Sequence, residues 1–232
     1  MHKRQIVLDT ETTGLDPRQG HRIIEIGCVE LVNRRFTGNN YHTYINPQRI
    51  IDQEAVAVHG ITNEFLMDKP SYSKISEPFF EYIKGAELVI HNSAFDIGFM
   101  DHEFKMLDPS WQGTAQHCEI LDTLAMARKK HPGQRATLDA LCKKYGINNS
   151  HRELHGALLD AEILADVYLL MSGGQLDFKL ANSGGSIDSG IRRLAADRQR
   201  LKVVLASADE LTAHEQRLDI IGKKGGEVVW RQ

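Results

Sequence analysis

No stretch of this chain approaches the roughly 20 consecutive apolar residues that a membrane-spanning helix needs. The first residues, Met1-His2-Lys3-Arg4-Gln5, run straight into an apolar segment without the hydrophobic core of a secretory signal. Cysteine is scarce: Cys28, Cys118 and Cys142 are scattered and form no CxxC pair, which argues against both a disulfide framework and a thiolate zinc site. These three are expected to be small apolar core residues with reduced thiols, in a cytoplasmic protein. A surplus of positive charge is missing too. The net charge is -3, whereas a protein that grips nucleic acid mainly by neutralising phosphates is usually basic. Any nucleic-acid contact should then be small, metal-assisted or held in place by a partner.

What is present begins with Ile6-Val7-Leu8-Asp9-Thr10-Glu11-Thr12-Thr13-Gly14. Three aliphatic residues read as a buried strand. Residues i and i+2 of a strand share a face, so Asp9 and Glu11 project side by side. Two like charges that close repel, and a divalent cation between them removes the repulsion. Taken alone, the stretch fits equally well a strand that runs into a solvated turn.

Along the chain, Ile23–Val32 and Tyr41–Ile45 read as two further strands, forming an antiparallel meander with the first. From Pro47 to Pro70 the sequence looks irregular, with a short helix around Asn63–Met67. Ser76–Ile83 reads as a helix with Pro78 in its first turn, where proline is tolerated. Glu87–Ile90 and Cys118–Leu121 read as a fourth and a fifth strand. Helices are expected at Ala94–Leu107, Thr123–Lys130, Thr137–Tyr145 and Gly156–Met171. This is an α/β pattern, a mixed five-stranded sheet flanked by helices over residues 1–171. A Gly/Ser-rich linker follows over 172–189. The segment 190–232 contains a helix, Asp209–Ile221, and is too small to bury its own apolar patches.

Two carboxylates stand where a core should be. On the Gly156–Met171 helix, Asp160 falls in the middle of the stripe made by Ile163, Leu164, Val167 and Met171, with Glu162 and Asp166 on the opposite side. Burying an unpaired carboxylate costs several kcal/mol, so Asp160 must pair, cap or bind a metal; the alternative is an exposed first-turn Asp favoured by the helix dipole. Asp96 repeats the pattern beside Phe99, Met100 and Leu107, after a polar turn, His91-Asn92-Ser93, at the carboxyl end of the fourth strand, where ligand sites in open α/β sheets form; taken alone, it fits equally well a helix N-terminal Asp that satisfies free amide groups. His155 precedes Asp160 by five residues and is a candidate general base. His59 is a weaker candidate for a substrate contact. Carboxylates on a first strand, a middle helix and a final helix suit two-metal phosphodiester hydrolysis with Mg²⁺ or Mn²⁺.

Asp9-Thr10-Glu11-Thr12-Thr13-Gly14, His91-Asn92-Ser93-Ala94-Phe95-Asp96 and His155-Gly156-Ala157-Leu158-Leu159-Asp160-Ala161 resemble the three ordered motifs of the DEDDh family of 3′→5′ exonucleases, which have a ribonuclease-H-like fold. Val58-His59-Gly60-Ile61 and Lys223-Lys224-Gly225-Gly226 extend the resemblance to the branch that proofreads for bacterial replicative DNA polymerases. The resemblance implies that Asp9, Glu11, Asp160 and Asp96 hold two divalent cations, Mg²⁺ or Mn²⁺, and that His155 takes the proton from the attacking water. It also implies that Asp9, Glu11, Glu54, His59 and Asp160 contact the substrate, the 3′ end of single-stranded or mispaired DNA.

Four partner expectations follow from the same resemblance. The polymerase's catalytic (alpha) subunit would bind residues 190–232, in a cytoplasmic, nucleoid-associated replisome. A theta-like small subunit would bind the nuclease domain. The segment Gln175-Leu176-Asp177-Phe178-Lys179-Leu180 resembles the apolar hexapeptides that dock on the sliding clamp, with Gln175, Leu176, Phe178 and Leu180 as contacts; a plain linker with chance apolar residues is the alternative. No membrane partner is expected. A stand-alone RNA-trimming exonuclease would share the chemistry but need neither linker nor tail. A non-catalytic adaptor would leave the place of Asp160 unexplained.

Overall fold

The first strand, β1 (Arg4–Thr12), lies at the centre of a six-stranded sheet in a computed structural model that describes residues 3–149, 154–173 and 206–225. It pairs antiparallel with β2 (Ile23–Val32) on one side and parallel with β5 (Glu87–Ile90) on the other. β5 in turn pairs parallel with β6 (Glu119–Asp122). The far edge of β2 takes β4 (Tyr41–Tyr44), completing the expected antiparallel meander, and also β3 (Arg35–Phe36). This two-residue β3 is the sixth strand. It follows Asn33 and Arg34, both in the left-handed backbone region, in a tight reversal that strand periodicity cannot signal.

Alternation along β1 sorts its side chains onto two cores. Ile6 and Leu8 join Ile26, Cys28, Leu88 and Ile90 against α3 (Tyr72–Ile83) and α4 (Ser93–Leu107), through Phe79, Ile83, Phe99 and Met100. Val7 joins Val29, Leu31 and Val89 against α7 (Ala157–Ser172), through Ala161, Leu164, Ala165 and Tyr168. By the same alternation Asp9 and Glu11 face α7, and Thr10 faces α4. A register shift between Glu11 and Thr12 ends the regular pairing just beyond the second carboxylate. The three thiols are buried and free. Burial first, and then the Asp9 charge, keep the Cys28 thiol well above its usual range.

Several helices differ from their sequence-based limits. α1 (Gln53–His59) occupies part of the stretch expected to be irregular, followed by α2 (Asn63–Leu66). α1 is only seven residues and shows too little apolar periodicity to stand out; Gly60 closes it in the left-handed conformation. α3 begins at Tyr72 behind an N-terminal Ser71, so Pro78 lies inside the helix rather than in its first turn. The buried residues Tyr72, Ile75, Phe79 and Ile83 hold the helix across the proline. In α4 the buried stripe runs through Phe99, Met100 and Phe104, while Leu107 at the end of the helix is exposed. α5 (Thr123–Lys130) matches its expected limits, and α6 (Leu138–Tyr145) starts one residue later because Thr137 caps it. α7 runs one residue past the expected Met171.

The chain divides into two units, Met1–Phe178 and Lys179–Gln232. In the second unit, α8 (Ala208–Gly225) is longer than the expected Asp209–Ile221. Ser207 and Glu210 form its reciprocal cap: Glu210 accepts from the Ser207 amide at 2.8 Å, and Ser207 Oγ accepts from the Glu210 amide at 3.3 Å. Gln175, Leu176, Phe178 and Leu180 lie outside the described residues, as does most of the expected linker.

The seat of α7 on the sheet depends on one residue. Gly27, opposite Asp9 in the ladder, has no side chain, and a Cβ there would stand inside the Ala157–Leu158 peptide. Gly27→Ala should therefore push the start of α7 off the sheet, at a cost of about 1–3 kcal/mol. Chemical denaturation should show the loss of stability. An unchanged midpoint would mean that the helix adjusts without strain.

Candidate active site

The carboxyl end of β1 opens into a cleft of about 730 Å³ lined by Asp9, Glu11, Asp96, His155 and Asp160 among others. The three segments singled out in the sequence converge there for separate reasons. Asp9 and Glu11 arrive by strand alternation. Asp160 arrives because it sits in the first turn of α7, on the helix's buried face, 3% exposed. Asp96 comes over the other face of the sheet, in the first turn of α4, and is equally buried. Thr10 Oγ1 donates to Asp96 Oδ1 at 2.7 Å, so the residue between the two strand carboxylates tethers the third.

Burial pushes the Asp96 carboxyl up to about 7, with the nearby Asp122 charge adding to it and hydrogen bonds from Thr10 opposing it. Asp122 also organises the turn that delivers Asp96. Its side chain caps α5 through the Leu124 and Ala125 amides and accepts from the Asn92 amide at 3.3 Å. Asn92 itself takes a left-handed conformation, φ 67 and ψ 54, between β5 and α4. His91 beside it contacts Thr123 Oγ1 at 3.0 Å. Burial holds the His91 imidazole below its ordinary value; Asp122 and the Ala136 backbone oppose that effect and the Arg128 charge reinforces it.

His155 is exposed on the rim, and its Nδ1 lies 3.2 Å from Asp160 Oδ2. Its backbone amide donates to the Val58 carbonyl at 3.2 Å, tying it to α1. Glu11, His155 and Asp160 offer ligand atoms that all lie within 4.8 Å of one another. One imidazole and hard carboxylate oxygens, with Asp9 on the same strand face, form a donor set that fits a divalent cation.

Glu25 is a buried carboxylate that belongs to none of the three motifs. It is 2% exposed, lies opposite Glu11 in the ladder and faces α7. Its Oε2 accepts the Ala157 amide at 3.1 Å and its Oε1 meets His42 Nε2 at 2.7 Å. It thus holds the first amide of the helix that carries Asp160, where a negative charge also suits the helix dipole. The signal was visible: a lone carboxylate among Ile23, Ile24 and Ile26 is the same anomaly that singled out Asp160.

His59 lies buried beneath the site, 5% exposed. Its Nδ1 accepts the Ile61 amide at 3.0 Å, and its Nε2 is buried with no hydrogen-bond partner among the described residues. Burial holds this imidazole below its usual value, against the opposing influence of Glu25 and the Thr12 backbone. Glu54 is not brought into the main cleft. It stands exposed on α1 and lines a neighbouring recess with Gly14, His21 and Asp52.

The family of exonucleases matches this chain over residues 6–168. The DNA polymerase III subunit epsilon of Escherichia coli (strain K12) is 54% identical over 236 residues, covering 98% of this chain and 97% of its own length. The subunit of the same name from Haemophilus influenzae is 51% identical over 239 residues, covering 96% and 92%. Among solved structures, exonuclease X in complex with 5′-overhanging duplex DNA superposes with a TM-score of 0.55 at 26% identity, covering 74% of this chain and 93% of that one. An E. coli exonuclease I complex with single-stranded DNA, at 19% identity and a TM-score of 0.64 over 75% of this chain and 41% of its own, shares the fold. The chain belongs to the exonuclease family and, within it, to the DNA polymerase III epsilon subunits.

Proposed function

We propose that this chain is the proofreading 3′→5′ exonuclease of a replicative DNA polymerase, hydrolysing the 3′-terminal phosphodiester of single-stranded or mispaired DNA. The observation that carries this reading is the convergence of Asp9, Glu11, Asp96 and Asp160, from β1, α4 and α7, on one cleft with His155 at its rim. Four carboxylates gathered without cations would repel one another. Two divalent cations held by them, Mg²⁺ or Mn²⁺, would neutralise that charge and stabilise the attacking and leaving oxygens. Asp9, on the same strand face as Glu11, would help to hold the cations.

The chain's own groups do the rest. His155 Nδ1 lies 3.2 Å from Asp160 Oδ2, so a proton on Nδ1 would be held by that carboxylate and Nε2 would be the nitrogen left to accept one. His155 takes the proton of the attacking water as its oxygen bonds to phosphorus. The bond from phosphorus to the 3′ oxygen of the preceding nucleotide breaks, and that oxygen takes a proton from solvent. The products are a nucleoside 5′-monophosphate and a strand one nucleotide shorter. His59 and Glu54, on α1, contact the terminal nucleotide in this reading. Preference for mispaired ends needs no base reading, because a mispaired end frays and enters the cleft more often.

Partner binding divides along the chain. Residues 190–232 dock on the polymerase alpha subunit, Gln175, Leu176, Phe178 and Leu180 on the sliding clamp, and the nuclease unit takes a theta-like subunit. The setting is the cytoplasmic replisome. Among the described residues no helix is long and apolar enough to cross a membrane.

His155→Ala should lower kcat on a single-stranded oligonucleotide by about 10²–10⁴-fold, while calorimetry still detects cation binding. Near-normal turnover would remove His155 as the base, and turnover by the wild type without any divalent cation would sink the metal mechanism. Because the Asp96 carboxyl sits at about 7, far above an unfolded carboxylate, the bare fold loses stability as pH climbs from about 4 towards 7. Cation binding at pH 6 should then release about one proton, read by calorimetry in buffers of different ionisation enthalpy. Equal release in Asp96→Asn would place that proton elsewhere. Removing residues 190–232 should leave hydrolysis of single-stranded DNA intact and end co-purification with the polymerase subunit. A dead truncated nuclease would mean that the boundary is misplaced.

A further inference from the structure

Another part of the cleft's lining is built differently. It comes from α5, the connection over 134–137 and the start of α6, and it contributes Arg128 and Arg135, with Asp139 as its one carboxylate. Both arginines are exposed, and neither makes a hydrogen bond or an ion pair among the described residues. That is unusual beside so much negative charge. Other arginines of this protein are engaged: Arg22 with Glu103, Arg4 with Glu30, Arg18 with Asp16. Two uncommitted guanidiniums face an acidic floor in a protein whose net charge is -3.

We propose that Arg128 and Arg135 form a phosphate-binding wall for the strand that leads into the site, holding the phosphates on the 5′ side of the bond being cut. The inference rests on the nuclease reading above and adds to it the part of the substrate that the carboxylates cannot bind. Asp9, Glu11, Asp96 and Asp160 can approach the scissile phosphate only through cations; the next phosphates lie beyond that neutralised zone and meet only repulsion unless cationic groups stand there. The guanidinium fork matches phosphate oxygens two at a time and is less strongly hydrated than an ammonium, so it gives up water at lower cost. Arg128 is on α5 and Arg135 is in the connection after it, two residues beyond Gly133, which is in the left-handed conformation. Phe95, Leu124 and Leu138 also line the cleft and offer base and sugar an apolar surface. The arrangement reads no sequence. It grips a backbone, as an exonuclease that accepts any 3′ end requires.

The test compares two substrates with the full-length protein. One is a single-stranded oligonucleotide, which has upstream phosphates. The other is the p-nitrophenyl ester of thymidine 5′-monophosphate, which has none. In Arg128→Gln/Arg135→Gln, the ratio of kcat/KM for the oligonucleotide to that for the ester should fall at least ten-fold. Fluorescence anisotropy of the labelled oligonucleotide should show weaker binding, with a salt dependence of log K shallower by about 0.7 for each arginine removed. The Arg→Lys pair should keep the salt slope while regaining only part of the affinity. An unchanged ratio and an unchanged slope would overturn the proposal. So would equal losses on both substrates, which would place the arginines at the reacting phosphate. A wild-type protein that cleaves neither substrate would instead overturn the nuclease reading itself, so the two failures are distinguishable.

Discussion

The seat of α7 against β2 is the contact on which the site depends. It exists because Gly27 leaves room for the Ala157–Leu158 peptide and because Glu25 accepts the Ala157 amide. Both residues lie on the face of β2 that looks towards α7, and their ladder partners are Asp9 and Glu11. The same few ångströms of sheet thus present two carboxylates from one strand and anchor, through the next strand, the helix that brings Asp160. Had the helix start been held by a loop, Asp160 would be less firmly placed. Seating it on the central strands fixes it at the most rigid part of the sheet.

The cost of the arrangement is electrostatic. Asp96 and Asp160 are almost wholly buried, and Glu25 stands behind Glu11. The protein manages this in stages. Glu25 is satisfied by an amide and by His42; Asp96 is tethered by Thr10; Asp160 meets His155. The carboxyl that burial leaves least comfortable is Asp96, and it responds by keeping its proton to about pH 7.

Much of this was legible in the sequence, because a charge on an apolar face is an anomaly that periodicity exposes. Asp160 among Ile163, Leu164 and Val167 is such a case, and its burial bears that out. Strand alternation placed Asp9 and Glu11 on one face, and the central strands came out where the apolar runs are. Other features carry no local signal. α1 is short and closed by Gly60, and β3 has two residues after a reversal at Asn33 and Arg34. Pro78 misled because packing of Tyr72, Ile75 and Phe79 outweighs a lost backbone bond. Glu25 stands out in the sequence as a charge among Ile23, Ile24 and Ile26, but its task, like that of Gly27, is set by an amide and a peptide about 130 residues away. Arg128 and Arg135 look like ordinary surface charge until the cleft they line is seen.

The link from His155 to α1 has a mechanical side. The His155 amide donates to Val58, and Leu154 sits so close over Gly60 that a side chain there would collide with it. The end of α1 and the residues leading into α7 therefore travel as one piece. His59 ends the same helix, so the His59 and His155 imidazoles share one support rather than two independent ones. A displacement of α1 would reach both imidazoles at once, and through His155 it would reach Asp160, whose carboxylate lies 3.2 Å from that ring.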